Sequence, residues 1–452
     1  MILSGDGMAA RASSVGFFVL FPGFMIYHTL VVLGAMPAFL GGLFGVVSVL
    51  MFGIYVVVLP SQRHVMFSAT RGFALLVMAF FAYVLCWSVA SYGLQGGSAL
   101  RAAMIQSLET VVLWAVLFVM GYRVPLDSPA LARAFWSAFL LVAGYLLFFV
   151  ATTGELMFFA RQFVESDGDG DSVSTYQGYA RSALVLLVFL IAVSRGALAR
   201  ATLILLGAFV MFVLGARSEL YGFLALVTLL LLVWAGTSAK YLLTLLAVLA
   251  LGVLVVANQF EAMSGTRQLQ VFDLSGTSSW TARQHLGDRA LAQILANPWL
   301  GQFGGHISAT GSTGGYAHSM LSSWVNYGLL GFALYVGMTV VAFIGSAHRL
   351  VLRGDSRAWW VFAFSINFVC LLLIVLAKPV FWPLPALGWG AFANALACTR
   401  RATEGEIPAS DGSRGHDLES GLEPQGQQEA VDESQGRDDH ESGTPDFRPS
   451  PP

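Results

Sequence analysis

An all-α, polytopic membrane protein is the fold class this sequence predicts, on three observations. Of its 452 residues, 56% are hydrophobic and 11% charged, whereas a soluble domain carries about 25% charged residues. Apolar runs approaching the roughly 20 residues a spanning helix needs recur about twelve times along the chain. The Lys and Arg residues between those runs are unevenly shared, as they are when alternate loops face the cytoplasm.

The predicted spans lie near 15–36, 38–59, 72–92, 104–122, 134–153, 181–194, 200–215, 219–236, 241–257, 319–346, 359–377 and 380–398. Two of them, 181–194 and 200–215, are short enough to be tilted or incomplete. The first run follows Arg11 and lacks a small-x-small cleavage site, so it reads as a retained span rather than a signal peptide. With the N-terminus inside, thirteen Lys/Arg residues fall on inner segments, from Arg11 to Arg401. Eight fall on outer segments: Arg101, Arg161, Arg181, Arg217, Arg267, Arg283, Arg289 and Lys378. Both termini are then cytoplasmic, and a large loop over 258–318 faces outward.

The net charge of −2 conceals two regimes. Residues 1–399, the membrane domain, hold 19 basic and 13 acidic side chains, a balance of +6. Residues 400–452 hold 5 and 13, a balance of −8, with almost no large apolar residues. Such a segment cannot bury enough surface to fold, which predicts a disordered cytoplasmic tail. Neither half suggests a nucleic-acid partner.

Several chemistries lack a pattern. Cys86 and Cys370 lie inside apolar runs and Cys398 at the end of the last, so neither a disulfide framework nor a metal cluster is indicated. The run ESDGDGDS resembles the start of a calcium loop, but the twelfth position from Asp167 is Gly178 rather than glutamate. It reads as an acidic surface loop. Glycines 301, 304, 305, 311, 314 and 315 follow no strand and lack dinucleotide-binding spacing. No cofactor and no metal is expected.

The segment from Ser278 to Gly331 is a polar island in this apolar chain, and it concentrates the reactive side chains. Its first part predicts a helix from Ser278 or Ser279 to Ala296, stopped by Asn297-Pro298. Leu286, Ala290, Ile294 and Leu295 form its apolar stripe. Arg283 shares that stripe, whereas Arg289, six residues on, is turned roughly 240° away. A packed arginine needs an anion, from either a protein carboxylate or a substrate. His318 ends the loop at the start of a span, where a neutral imidazole can take a proton from a hydroxyl; a satisfied interfacial histidine is the bland alternative. Arg217 occupies the tight turn Gly-Ala-Arg-Ser-Glu, where it can pair with Glu219, snorkel or grip a phosphate with its planar fork. Glu109 is an acid within a predicted span, a position that favours a cavity or an ion partner. Lys378, beside Pro379 at the end of another span, either adds positive potential or is an ordinary boundary residue.

Arg283 with the following ALAQILANPWLGQFGGH, then AHSMLSSWVNYGLLGF, resembles the C-terminal signature of the O-antigen ligase and Wzy-type polymerase superfamily. GARSELYGFLAL is similar to that family's outer-turn element, with Arg217 in the arginine position. The resemblance runs from Leu214 to Phe332. It implies a bacterial inner-membrane glycosyltransferase that moves a glycan from an undecaprenyl-diphosphate carrier to a hydroxyl acceptor, itself a glycan or lipid-linked, at the periplasmic face. Polysaccharide-assembly proteins are the implied partners. Carried over, Arg217 and Arg283 bind the diphosphate and His318 acts as the base or orients the acceptor hydroxyl; Glu109 and Lys378, by their positions in the chain, are further candidate substrate contacts. Two positions depart from the pattern. His318 is followed by Ser319 rather than asparagine, and Asn326-Tyr327 replaces the usual acidic residue, a change that bears on acceptor recognition.

Paired arginines neutralise a diphosphate leaving group, and a shared cavity turns a bimolecular step into a positioned one. The expected transfer is inverting and metal-independent. Two other readings compete: a lipid-linked glycan flippase or transporter, and a peptidoglycan-polymerase-like enzyme with Asp273 or Asp288 as its outer-loop aspartate. The repeated halves and midplane charges that mark many transporters are not evident, apart from Glu109.

Overall fold

The computed structural model describes residues 5–37, 43–58, 63–158, 171–236 and 278–403, with isolated positions between 239 and 250. Every regular element among them is helical. Helix α1 (Gly5–Phe18) runs through a π-turn at Val19–Gly23 into α2 (Phe24–Val32). Pro22 lies in that turn, where its missing N–H and fixed φ loosen the helical ladder. Next come α3 (Leu43–Val58), α4 (Arg63–Gln95), α5 (Ser98–Arg123) and α6 (Pro129–Thr153). Then follow α7 (Asp171–Val193), α8 (Ala197–Leu214), α9 (Arg217–Ala235), α10 (Ser278–Ala296) and the short α11 (Gly305–Thr310). The last three are α12 (Leu321–Ala347), α13 (Ala358–Leu376) and α14 (Leu384–Thr403).

Among the described residues, 9 helices are long and apolar enough to cross a membrane. They account for nine of the twelve expected spans; the other three differ. The 38–59 run yields a shorter apolar stretch, Gly45–Val57. The 241–257 run lies largely outside the described residues, as do the acidic ESDGDGDS run, loop residues 258–277 and tail residues 404–452. The 380–398 run forms α14, which is less apolar yet buried along most of its length. Its environment is protein rather than lipid. A Cβ on Gly390 would collide with the Phe118 carbonyl, and one on Gly121 with that of Leu387. Small residues thus let α14 and α5 lie backbone to backbone, the usual way helices pack where lipid supplies no hydrophobic drive.

The two short runs are helices long and apolar enough to cross a membrane. They extend as Tyr176–Val193 and Ala197–Leu214, each of 18 residues. The first could not be delimited from hydropathy because it opens in Tyr176, Gln177, Tyr179 and Arg181. These are tolerated because α7 runs through the centre of the bundle, with Ala183 to Ile191 at most 1% exposed.

Segments assigned to one side by the charge count gather at one end of the bundle. Phe158 N donates to Val213 O at 3.0 Å, Gln106 Nε2 to Thr313 O at 3.2 Å and Val380 N to Ser322 Oγ at 2.7 Å. This is the loop end. At the opposite end, Trp360 Nε1 donates to Thr399 Oγ1 at 3.1 Å and Arg349 lies 5.7 Å from the Trp360 ring centre.

Candidate functional site

The site begins at a break in α12. Gly328 interrupts that helix at φ 64° and ψ −174°, a conformation open essentially to glycine alone. The Asn-Pro-Trp-Leu-Gly turn crosses at the break. Leu329 N donates to Trp299 O at 3.1 Å and Gln302 N to Val325 O at 2.6 Å, while Trp324 Nε1 donates to Pro298 O at 2.7 Å. The turn therefore satisfies backbone groups the broken helix releases, which buried non-helical backbone requires in a membrane. A side chain on Gly301 would meet the Val325 carbonyl, and one on Gly328 that of Trp299.

Asn326 and Tyr327 lock this crossing. Asn326 Nδ2 donates to Ser322 O at 2.8 Å, and its Oδ1 accepts from Gly304 N at 3.3 Å. Trp87 Nε1 donates to Asn326 O at 3.0 Å, and Tyr83 OH to Tyr327 O at 2.7 Å. The Tyr327 and Ser107 hydroxyls are 3.0 Å apart. Asn326 and Tyr327 are thus structural ties between α12, α4 and α5.

This scaffold delivers His318 to the turn before Leu321. The stretch from the last turn of α13 to residue 383 is bound to the same place through Met320 N to Ile374 O at 2.6 Å and Val380 N to Ser322 Oγ. It brings Lys378 with it. Burial first, then the charges of Arg283 and Lys378, hold the His318 imidazole down at about 4. His318 is consequently neutral at physiological pH, with two cations acting on it.

Lys378 is itself buried and pairs with Glu219, Nζ to Oε1 at 2.5 Å; the approach is that of an ion pair rather than a well-angled hydrogen bond. Ser218 Oγ donates to the other carboxylate oxygen at 2.7 Å. Glu219 also acts electrostatically on Arg181 at the start of the α7 span. Arg217 heads α9, two residues before Glu219 and close enough to act on Tyr221. His318, Arg283, Lys378, Glu219 and Arg181 thus form one chain of electrostatic neighbours. Its cations outnumber its single carboxylate.

Three expectations about individual side chains are corrected. Arg283 is exposed rather than packed. Its angular phase matches the buried Ala290 and Ile294, but residues 281–285 are all exposed, so the first turns of α10 extend past what would cover them. Leu295 is likewise 81% exposed, not part of the packed stripe. Glu109 is exposed on α5, with no hydrogen bond or ion pair among the described residues. Gln106, one turn earlier, instead anchors the glycine-rich loop.

Sequence reasoning passed over several residues here. Glu219 reads in the sequence as a local partner for Arg217, whereas it anchors Lys378, 159 positions away in the chain. His306 and Tyr316 belong to an aromatic group with Phe381 and His318, at centroid distances of 5.9 Å for His306–Tyr316 and 5.4 Å for Tyr316–His318. Arg289, expected to point away from Arg283, borders a narrow cleft, partly open to solvent, between α10 and α11. His306 lines the same cleft. No protein-family model and no curated protein matches this chain in sequence.

Proposed function

We propose that the chain is a glycosyltransferase of a bacterial inner membrane, with its loop end at the periplasmic face. It moves a glycan from an undecaprenyl-diphosphate carrier to a hydroxyl of a glycan or lipid-linked acceptor. The observation that carries this reading is a neutral His318 acted on by Arg283 and Lys378 at one end of an apolar helical bundle. A diphosphate needs cations, and a hydroxyl nucleophile needs a neutral base; both stand together here. Apolar helices around them suit a polyprenyl chain. The resemblance of Leu214–Phe332 to O-antigen ligases and polymerases is what suggests the substrate class.

In the transfer, the acceptor oxygen attacks the anomeric carbon from the side opposite the diphosphate. The new C–O bond forms as the bond to the diphosphate oxygen breaks. The leaving group departs with the electron pair, the hydroxyl proton passes to His318, and the anomeric configuration inverts. Electrostatics also link the two substrates. Arg283 and Lys378 depress His318 in the free protein, so a diphosphate placed against them offsets that depression and strengthens the base once the donor is bound.

The test is glycan transfer by purified protein with a lipid-linked donor. Arg217→Lys and Arg283→Lys each keep a charge but lose the bidentate fork. His318→Ala should lower the rate about 10²–10⁴-fold, the usual contribution of a general base. Arg353→Ala, exposed at the opposite end, should leave it unchanged. Undiminished transfer in all three loop-end variants would end this reading. Glycan trapped on the inner face after gene deletion would favour a flippase instead.

A further inference from the structure

Helix α10 turns two apolar faces away from its axis, and only one of them meets protein. Ala290 and Ile294 pack with Val325 and Ala317 at the head of α12. Roughly 100° round the helix from that stripe stand Leu291 and Leu295, one turn apart and 48% and 81% exposed. Trp299 and Leu300, in the turn that follows α10, are 73% and 55% exposed. Large apolar side chains this close together form a patch, unlike the single exposed ones ordinary on a surface.

What covers the patch follows from its surroundings. Trp299 O accepts from Leu329 N, so the turn lies against α12 beside Leu330, itself exposed. Leu330, Ala333, Val341 and Ile344 share one exposed sector of the Leu321–Leu352 span, the sector that faces lipid. The patch therefore continues the lipid face of a membrane helix at its loop end. Polarity along α10 changes in the same sense. Gln284 and Asp288 occupy the sector of Leu291 and Leu295 in earlier turns, yet both are polar and exposed. Only the half of α10 nearer the turn is apolar on that side. It ends in Trp299, whose amphipathic ring suits the headgroup level of a bilayer.

We propose that the last turns of α10 and the Trp299-Leu300 turn are embedded in the leaflet at the loop end, with Leu291, Leu295, Trp299 and Leu300 at the headgroup–acyl boundary and Gln284 and Asp288 in water. The partner of this surface is lipid. An amphipathic helix gains its hold on a membrane by burying such a face to that depth. The insertion fixes the height of α10 relative to the bilayer, and with it that of Arg283, about 12 Å back along the helix axis from Leu291. It requires nothing of the reaction at His318 and stands apart from the transferase reading.

Full-length protein in lipid nanodiscs is spin-labelled at single introduced cysteines in a Cys86→Ser, Cys398→Ser background; Cys370 is buried and escapes the label. Labels at Leu291→Cys, Leu295→Cys and Trp299→Cys are compared with Gln284→Cys and Asp288→Cys, and with Val341→Cys as the lipid reference. Each of these positions is exposed, so the substitutions remove no packing. Power-saturation EPR then reads collisions with oxygen, which concentrates in lipid, and with a water-soluble nickel chelate. Oxygen should dominate at Leu291, Leu295 and Trp299, as at Val341, and the chelate at Gln284 and Asp288. Chelate dominance at either Leu295 or Trp299 would put the patch in water and overturn the proposal. Exclusion of both reagents there would put it under protein, such as a second copy of the chain, and overturn it equally. Oxygen dominance at Gln284 and Asp288 as well would sink the whole helix into the bilayer and contradict the tilt its polarity requires.

Discussion

The two ends of the helical bundle both carry cations, but they treat them differently. At the end away from the loop, Arg200 lies 4.1 Å from the Trp234 ring centre and also donates to the Tyr241 hydroxyl at 2.8 Å. Arg357 forms an exposed pair with Asp355, two residues away. These are local arrangements that seat a boundary arginine on aromatic faces and nearby carboxylates. At the loop end, Lys378 is buried and held by a carboxylate from a different helix, and Arg283 and Lys378 act on a neutral histidine. Charge at one end follows position relative to a membrane. Charge at the other is assembled from four separate parts of the chain, which is how a binding site is built.

The largest test of that contrast is stability. Glu219→Gln leaves the Lys378 charge buried without its partner, at a cost of about 3–5 kcal/mol, read as a large fall in the thermal midpoint in detergent. Adding Lys378→Met should restore most of it. Asp355→Asn, the corresponding change at the opposite end, should cost about 0–1 kcal/mol, as exposed pairs do. Equal losses at the two ends would erase the distinction.

Gly328→Ala comes next in size. It forces a side chain into a glycine-only conformation, costing about 1–3 kcal/mol, and drives it against the Trp299 carbonyl. Because the break shapes the first turns of α12, which directly follow His318, glycan transfer should fall along with stability. A variant that loses neither would show that the interruption positions nothing.

The smallest effects are in pH. His306 and His318 titrate near 4 in the folded protein, below the ordinary value of 6.5. Protons therefore bind the unfolded chain first. The stability from these two groups is full above about pH 6.5 and is lost as pH falls toward about 4. The thermal midpoint should decline across that window, and less steeply in His306→Phe. For activity, the acid limb of kcat/KM should lie near the low value of His318, and Arg283→Ala should move it upward by removing one of the depressing charges. A limb unmoved by that substitution would detach Arg283 from His318.

Much of this architecture is legible in the residues. Helix α10 was expected from Ser278 to Ala296 and occupies those bounds, because the Asn-Pro stop and the apolar spacing are local signals. Arg283 shows where such signals end. Its phase on the helix matches that of Ala290 and Ile294, but phase says which residues share a face, not whether another element covers that face. Glu109 makes the same point within a span. Its residue type suggested a buried partner, yet the part of α5 that carries it is left open. The Glu219–Lys378 pair had no local trace at all, since the two residues lie in separate segments.

The sequence by itself determined the all-helical membrane class, most of the spans and the boundaries of the helix in the polar island. These depend on hydropathy, length and capping, which act over neighbouring residues. The tertiary structure decided that α14 is walled by protein, that Gly328 breaks α12 around the Asn-Pro-Trp-Leu-Gly turn, and that His318 stands within reach of two cations. Burial and charge proximity are properties of distance in space, and only the packing of the helices sets those distances.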